Sequence, residues 1–78
     1  FLMQQMAWRE ALDDATSAAD LQALQVQTQA LSRELTAQVA QALDVDGDAG
    51  RAVQNVRALM FVERFAAEVE GRLDQLGQ

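Results

Sequence analysis

In two stretches, Leu21 to Ala42 and Ala52 to Leu73, apolar residues return at steps of three or four, in a chain that contains no proline. That spacing keeps side chains on one face of a helix and does not fit the period of two that a half-buried strand requires. One set runs Leu21, Leu24, Thr28, Leu31, Leu35, Val39 and Ala42, and a second runs Ala52, Val56, Leu59, Val62, Ala66, Val69 and Leu73. A shorter stripe of Phe1, Trp8, Leu12 and Ala15 precedes them. Ala, Leu, Gln, Glu and Arg, all strong helix formers, fill most positions between. The pattern predicts helices over about 1–15, 18–43 and 49–76.

The two breaks carry start signals. In the first, Ser17 is placed to accept from a free amide, and Asp20 three residues later favours a first helical turn. The second, Asp44-Val45-Asp46-Gly47-Asp48, combines a glycine with aspartates able to cap the third helix. Connections this short join antiparallel neighbours. The expected fold class is therefore all-α, an antiparallel three-helix bundle with residues 1–78 as one domain. Because the chain opens at Phe1 rather than Met, it is expected to be a fragment of a longer parent.

Composition narrows the function classes. The chain has no Cys and no His, which excludes disulfides, thiolate chemistry, a Ser-His-Asp triad and zinc sites built on those ligands. Six Arg stand against twelve Asp plus Glu, a net charge of −6. A nucleic-acid binder needs a basic footprint, so no nucleic acid is expected as partner. The longest apolar run, Ala58 to Val62, is far shorter than the roughly 20 residues a membrane span requires, and neither membrane nor secretory signal is expected. The remaining expectation is a cytoplasmic, non-enzymatic module without cofactor or metal.

Apolar residues remain once the stripes are assigned. At roughly 100° per residue, Leu2, Met3 and Met6 point to a side of the first helix roughly 150° from Phe1, Trp8 and Leu12. In the third helix Phe61 and Phe65 lie well off the arc of Leu59, Val62, Ala66 and Val69, which predicts that both belong to an exposed patch. Surplus Met, Leu and Phe side chains mark a partner site, and the thioether of Met adapts to another surface. Arg9, Glu10, Asp13 and Asp14 continue that face of the first helix as a charged margin, the usual anatomy of a protein interface. The bland alternative is a ragged terminal helix whose Leu2 and Met3 pack on an upstream segment.

Other constellations are weaker. Asp44, Asp46 and Asp48 alternate like the first ligands of a calcium loop, but Ala49 stands where that loop needs Gly and Asn55 where it needs Glu. Helix caps in a solvated loop fit better. Glu68 and Arg72 have the favourable i,i+4 order of a surface salt bridge, and the abundant Gln reads as surface filler. A hydrolase using two carboxylates is a distant reading, since so small a bundle offers no obvious cleft.

The opening segment Phe1-Leu2-Met3-Gln4-Gln5-Met6-Ala7-Trp8-Arg9-Glu10-Ala11-Leu12-Asp13-Asp14-Ala15 resembles the start of the C-terminal domain of HscB-type J-domain co-chaperones, with its approximate pattern Phe-Leu-Met-x-Gln-Met/Leu-Glu-x-Arg-Glu-x-Leu. A second segment, Val56-Arg57-Ala58-Leu59-Met60-Phe61-Val62-Glu63-Arg64-Phe65, is similar to that family's third helix. The resemblance implies a three-helix domain that binds the iron–sulfur cluster scaffold protein (IscU type). It also implies a separate J-domain, carrying His-Pro-Asp, that engages a DnaK-like chaperone (HscA type) for cluster transfer. By position it puts the apolar scaffold contacts on Leu2, Met3, Met6 and Phe61, and the charged ones on Arg9, Glu10 and Asp14. Two departures stand out: the family commonly has Glu where this chain has Ala7, and a chain without His or Pro holds no His-Pro-Asp. The alternative is a self-associating bundle using the same patch for homodimerisation.

Overall fold

The computed structural model describes residues 2–77. They form three helices in chain order, α1 (Leu2–Asp14), α2 (Ala18–Asp44) and α3 (Ala49–Leu76), the all-α three-helix bundle expected from the spacing. The first break is closed by reciprocal capping. Ser17 Oγ accepts from the Asp20 amide at 3.3 Å, and Asp20 Oδ2 accepts from the Thr16 amide at 3.2 Å. In the second break the amides of Val45 and Asp46 both donate to the Gln41 carbonyl, and Gly47 takes φ +61°, a left-handed conformation costly for other residues. Asp48 then caps α3 by accepting from the Arg51 amide at 3.0 Å, while Asp46 pairs with the Arg51 side chain. Two of the three loop aspartates are thus occupied in starting α3. Among the described residues no group of three or more acidic side chains is arranged to hold a metal ion.

The long helices α2 and α3 form the frame. Their buried residues are Leu21, Leu24, Thr28, Leu35 and Ala42 from one, with Ala52, Val62, Phe65 and Val69 from the other. Thr28 fits the apolar stripe because its hydroxyl donates to the Gln25 carbonyl at 2.9 Å, leaving a methyl for the core. Val56 departs from its expected core position and is 40% exposed. Buried Ala52 and half-buried Asn55 and Leu59 take the inward positions around it, so Val56 is rotated to the flank.

Helix α1 adds Trp8 and Leu12 to the core, with Ala15 packed against it; Phe1, assigned to the same stripe, lies outside the described residues. With 13 residues against 28 in α3, α1 spans roughly 20 Å of a hairpin roughly 42 Å long. It packs beside the chain-terminal part of that hairpin and leaves the part nearest the α2–α3 turn as two helices alone. No described helix is long and apolar enough to cross a membrane.

Candidate docking surface

The seam between α1 and α3 is built on aromatic rings. Trp8 stacks on Phe65 with centroids 5.4 Å apart and planes 13° from parallel, and Phe65 stacks in turn on Phe61 at 6.1 Å and 15°. The indole N–H of Trp8, a donor that burial would leave costly if unpaired, reaches Gln27 Oε1 of α2 at 3.1 Å. Gln27 is therefore an anchor and not filler. Phe65 is 1% exposed, the largest fully buried side chain of the described residues. The expectation that Phe65 belongs to an exposed patch is overturned. A helix with two neighbours needs a wider apolar arc than one stripe, and the flank carrying Phe65 is the one that meets α1.

Phe61, one turn before Phe65, is partly buried, and its edge completes a shallow depression lined by Leu2, Gln5, Met6, Arg9, Glu10 and Phe61. The apolar floor is supplied by both helices, so it exists only when α1 is docked. Leu2 and Met6 are both exposed, Met6 at 58%. Of the residues marked by the sequence, the structure brings together Leu2, Met6, Arg9, Glu10 and Phe61. Met3 lies outside the depression at 84% exposure, one helical turn from Met6. Asp14 lies elsewhere, beside Asp20 and Gln27 where α1 faces α2. Gln5 is an addition, and its i,i+4 relation to Arg9 is the signal that could have marked it.

Arg9 has a second occupation. Its guanidinium donates to both oxygens of Glu68, at 2.6 and 3.4 Å, and sits 5.6 Å from the centroid of the Phe65 ring. The hydrogen bond from Arg9 holds the Glu68 carboxyl below its ordinary value against the opposing effect of desolvation, with the charges of Arg9, Arg72 and Arg64 adding to it. The same bond, with the attraction of that carboxylate, holds Arg9 above its ordinary value. Glu68 is thus directed to α1 and not to Arg72, the partner its i,i+4 spacing suggested; Arg72 donates to the Leu12 carbonyl at 3.4 Å instead. Two polar links from α3 clamp α1 beside the aromatic stack.

The three-helix bundle thus carries an apolar depression across two helices, edged by charge and backed by a ring stack, an arrangement with the anatomy of a protein interface. The chain belongs to the family of the HSCB C-terminal oligomerisation domain, whose sequence profile matches residues 1–70. It is 42% identical over 79 aligned residues to a co-chaperone protein HscB homolog of Azoarcus sp. (strain BH72). Homologs of the same name from Burkholderia mallei (strain SAVP1) and Burkholderia thailandensis are 43% and 42% identical over the same length. Each alignment covers 97% of this chain and 45% of the relative, so the chain spans about half the length of these curated relatives. No solved structure matches the chain significantly.

Proposed function

We propose that this domain is the client-docking part of a bacterial cytoplasmic co-chaperone of iron–sulfur cluster assembly, and that its client is the cluster scaffold protein (IscU type). The observation that carries the reading is the meeting of Leu2, Met6 and Phe61 in one depression shared by α1 and α3. The apolar centre supplies most of the affinity, and Arg9 and Glu10 at its margin set orientation and encounter rate. Met3, one turn from Met6, adds an apolar contact from outside the depression, and Asp14, at the far end of α1 where it faces α2, acts as a separate charged contact. The role is that of an adaptor without chemistry of its own: the cluster is cargo held by the scaffold. Delivery to a DnaK-like chaperone (HscA type) falls to a J-domain elsewhere in the parent, because the His-Pro-Asp signature cannot lie in a chain with neither His nor Pro.

The test is calorimetric titration of the scaffold into the folded chain. Phe61→Ala and Met6→Ala each weaken binding by about 1–2 kcal/mol with helicity unchanged. Full affinity in both variants discards the reading.

Self-association is a second reading, favoured by the chain's membership of a family of oligomerisation domains. In that reading a second copy, in place of the scaffold, occupies the same depression of Leu2, Met6 and Phe61.

A further inference from the structure

Arg9 stands on the border of two surface depressions. One is the seam depression of Leu2, Met6 and Phe61. The other lies further along α1 and α3, where Glu68, Gly71 and Arg72 line it together with Arg9. Glu68 belongs to the second and not to the first. A long arginine side chain on a helix surface samples many rotamers and loses that freedom when it is held. Here both terminal nitrogens of the guanidinium donate to Glu68, at 2.6 and 3.4 Å, and the group lies 5.6 Å from the centroid of the Phe65 ring. A carboxylate that takes both arms of the guanidinium fork sets its direction as well as its distance.

We infer that Glu68 is a positioning residue for client docking: from outside the depression it holds the Arg9 guanidinium in place at the depression's edge. The inference rests on the client-docking reading above and adds to it a residue that touches no client. Three observations select this role. First, stability alone does not account for the pair. Its side chains are 49% and 42% exposed, and exposed ion pairs contribute little to folding. Helix α1 is tied down separately by the Trp8–Phe65 stack, by Trp8 on Gln27 and by Arg72 on the Leu12 carbonyl. Second, Glu68 passes over the arginines nearest to it in sequence. Arg64 and Arg72 stand one turn to either side on its own helix, yet its carboxylate takes Arg9, 59 residues away on α1. Third, the arrangement lowers the cost of binding. A side chain ordered before the client arrives does not have to be ordered by it. One N–H on each terminal nitrogen goes to Glu68, and the other donors of Arg9 are left for acceptors of the client, at a place already fixed.

Calorimetric titration of the scaffold protein into the intact chain and its variants tests this, with the emission of Trp8 read on the same samples. Trp8 is the only tryptophan and is buried in the α1–α3 seam, so its emission reports whether α1 stays docked. Glu68→Ala is expected to weaken scaffold binding roughly three- to tenfold with Trp8 emission unmoved. Glu68→Gln, which keeps an oxygen to accept from Arg9, retains more of the affinity. In a chain already carrying Arg9→Ala, adding Glu68→Ala changes the affinity no further. Full affinity in Glu68→Ala beside a loss in Phe61→Ala overturns the positioning role and leaves the client reading standing. Full affinity in both Phe61→Ala and Met6→Ala removes the client reading and this inference with it. A further loss on the Arg9→Ala background, or a red shift of Trp8 emission in Glu68→Ala, assigns the effect to something other than the placement of Arg9 and overturns the inference.

Discussion

Phe65 joins two elements through one side chain: it carries the ring of Trp8 on one face, borders Phe61, and lies beneath the Arg9 guanidinium. Phe65→Ala removes the middle of that stack and leaves a cavity between α1 and α3. It is expected to cost about 3–5 kcal/mol of unfolding free energy, read from denaturant midpoints, and a loss below 1 kcal/mol would contradict the placement. The opposite sign is expected at Gly71. This residue lies inside α3, and a Cβ added there meets nothing within 4 Å, so Gly71→Ala should stabilise by up to about 1 kcal/mol. The burial of Phe65 was not legible in a single helical stripe, because one stripe describes a helix with one neighbour. Trp8 and Leu12, by contrast, were readable as core from α1 alone, since a short peripheral helix has a single buried face.

Between elements, the association of α1 with the hairpin is the part that spacing determines least and long side chains determine most. The partners Arg9–Glu68, Trp8–Gln27 and Arg72–Leu12 are 59, 19 and 60 residues apart, beyond any local pattern. The helices themselves and their caps at Ser17 and Asp48 were legible, because each depends on residues within one turn. A pH dependence follows from the clamp. Glu68 is held below its ordinary value in the folded chain, so the stability it contributes is complete above the ordinary glutamate value of about 4.3. That contribution is lost as pH falls through the depressed folded value. Melting temperatures followed from neutrality to about pH 3 should fall more steeply in the parent chain than in Glu68→Gln. Parallel curves would show that the ion pair contributes nothing to the docking of α1.

At the scale of the whole molecule, the unequal helix lengths decide where a surface can form. A 13-residue helix beside a 28-residue one makes a seam along only part of the hairpin, and the depression there sets an apolar centre beside the charges of Arg9 and Glu10. The depression at the seam was legible in part. Leu2, Met6, Arg9, Glu10 and Phe61 were readable from periodicity and resemblance, whereas the separation of Asp14 from them depends on where α2 passes. Because the depression needs α1 and α3 together, any change that releases α1, such as Phe65→Ala, should weaken client binding without touching a lining residue. Most direct of all is calorimetry of scaffold binding to the parent chain, Phe61→Ala and Val56→Glu side by side. The expected result is an affinity loss of roughly five- to thirtyfold for Phe61→Ala and none for Val56→Glu, whereas equal affinity in all three, or a loss confined to Val56→Glu, would contradict the docking of a client at the α1–α3 seam.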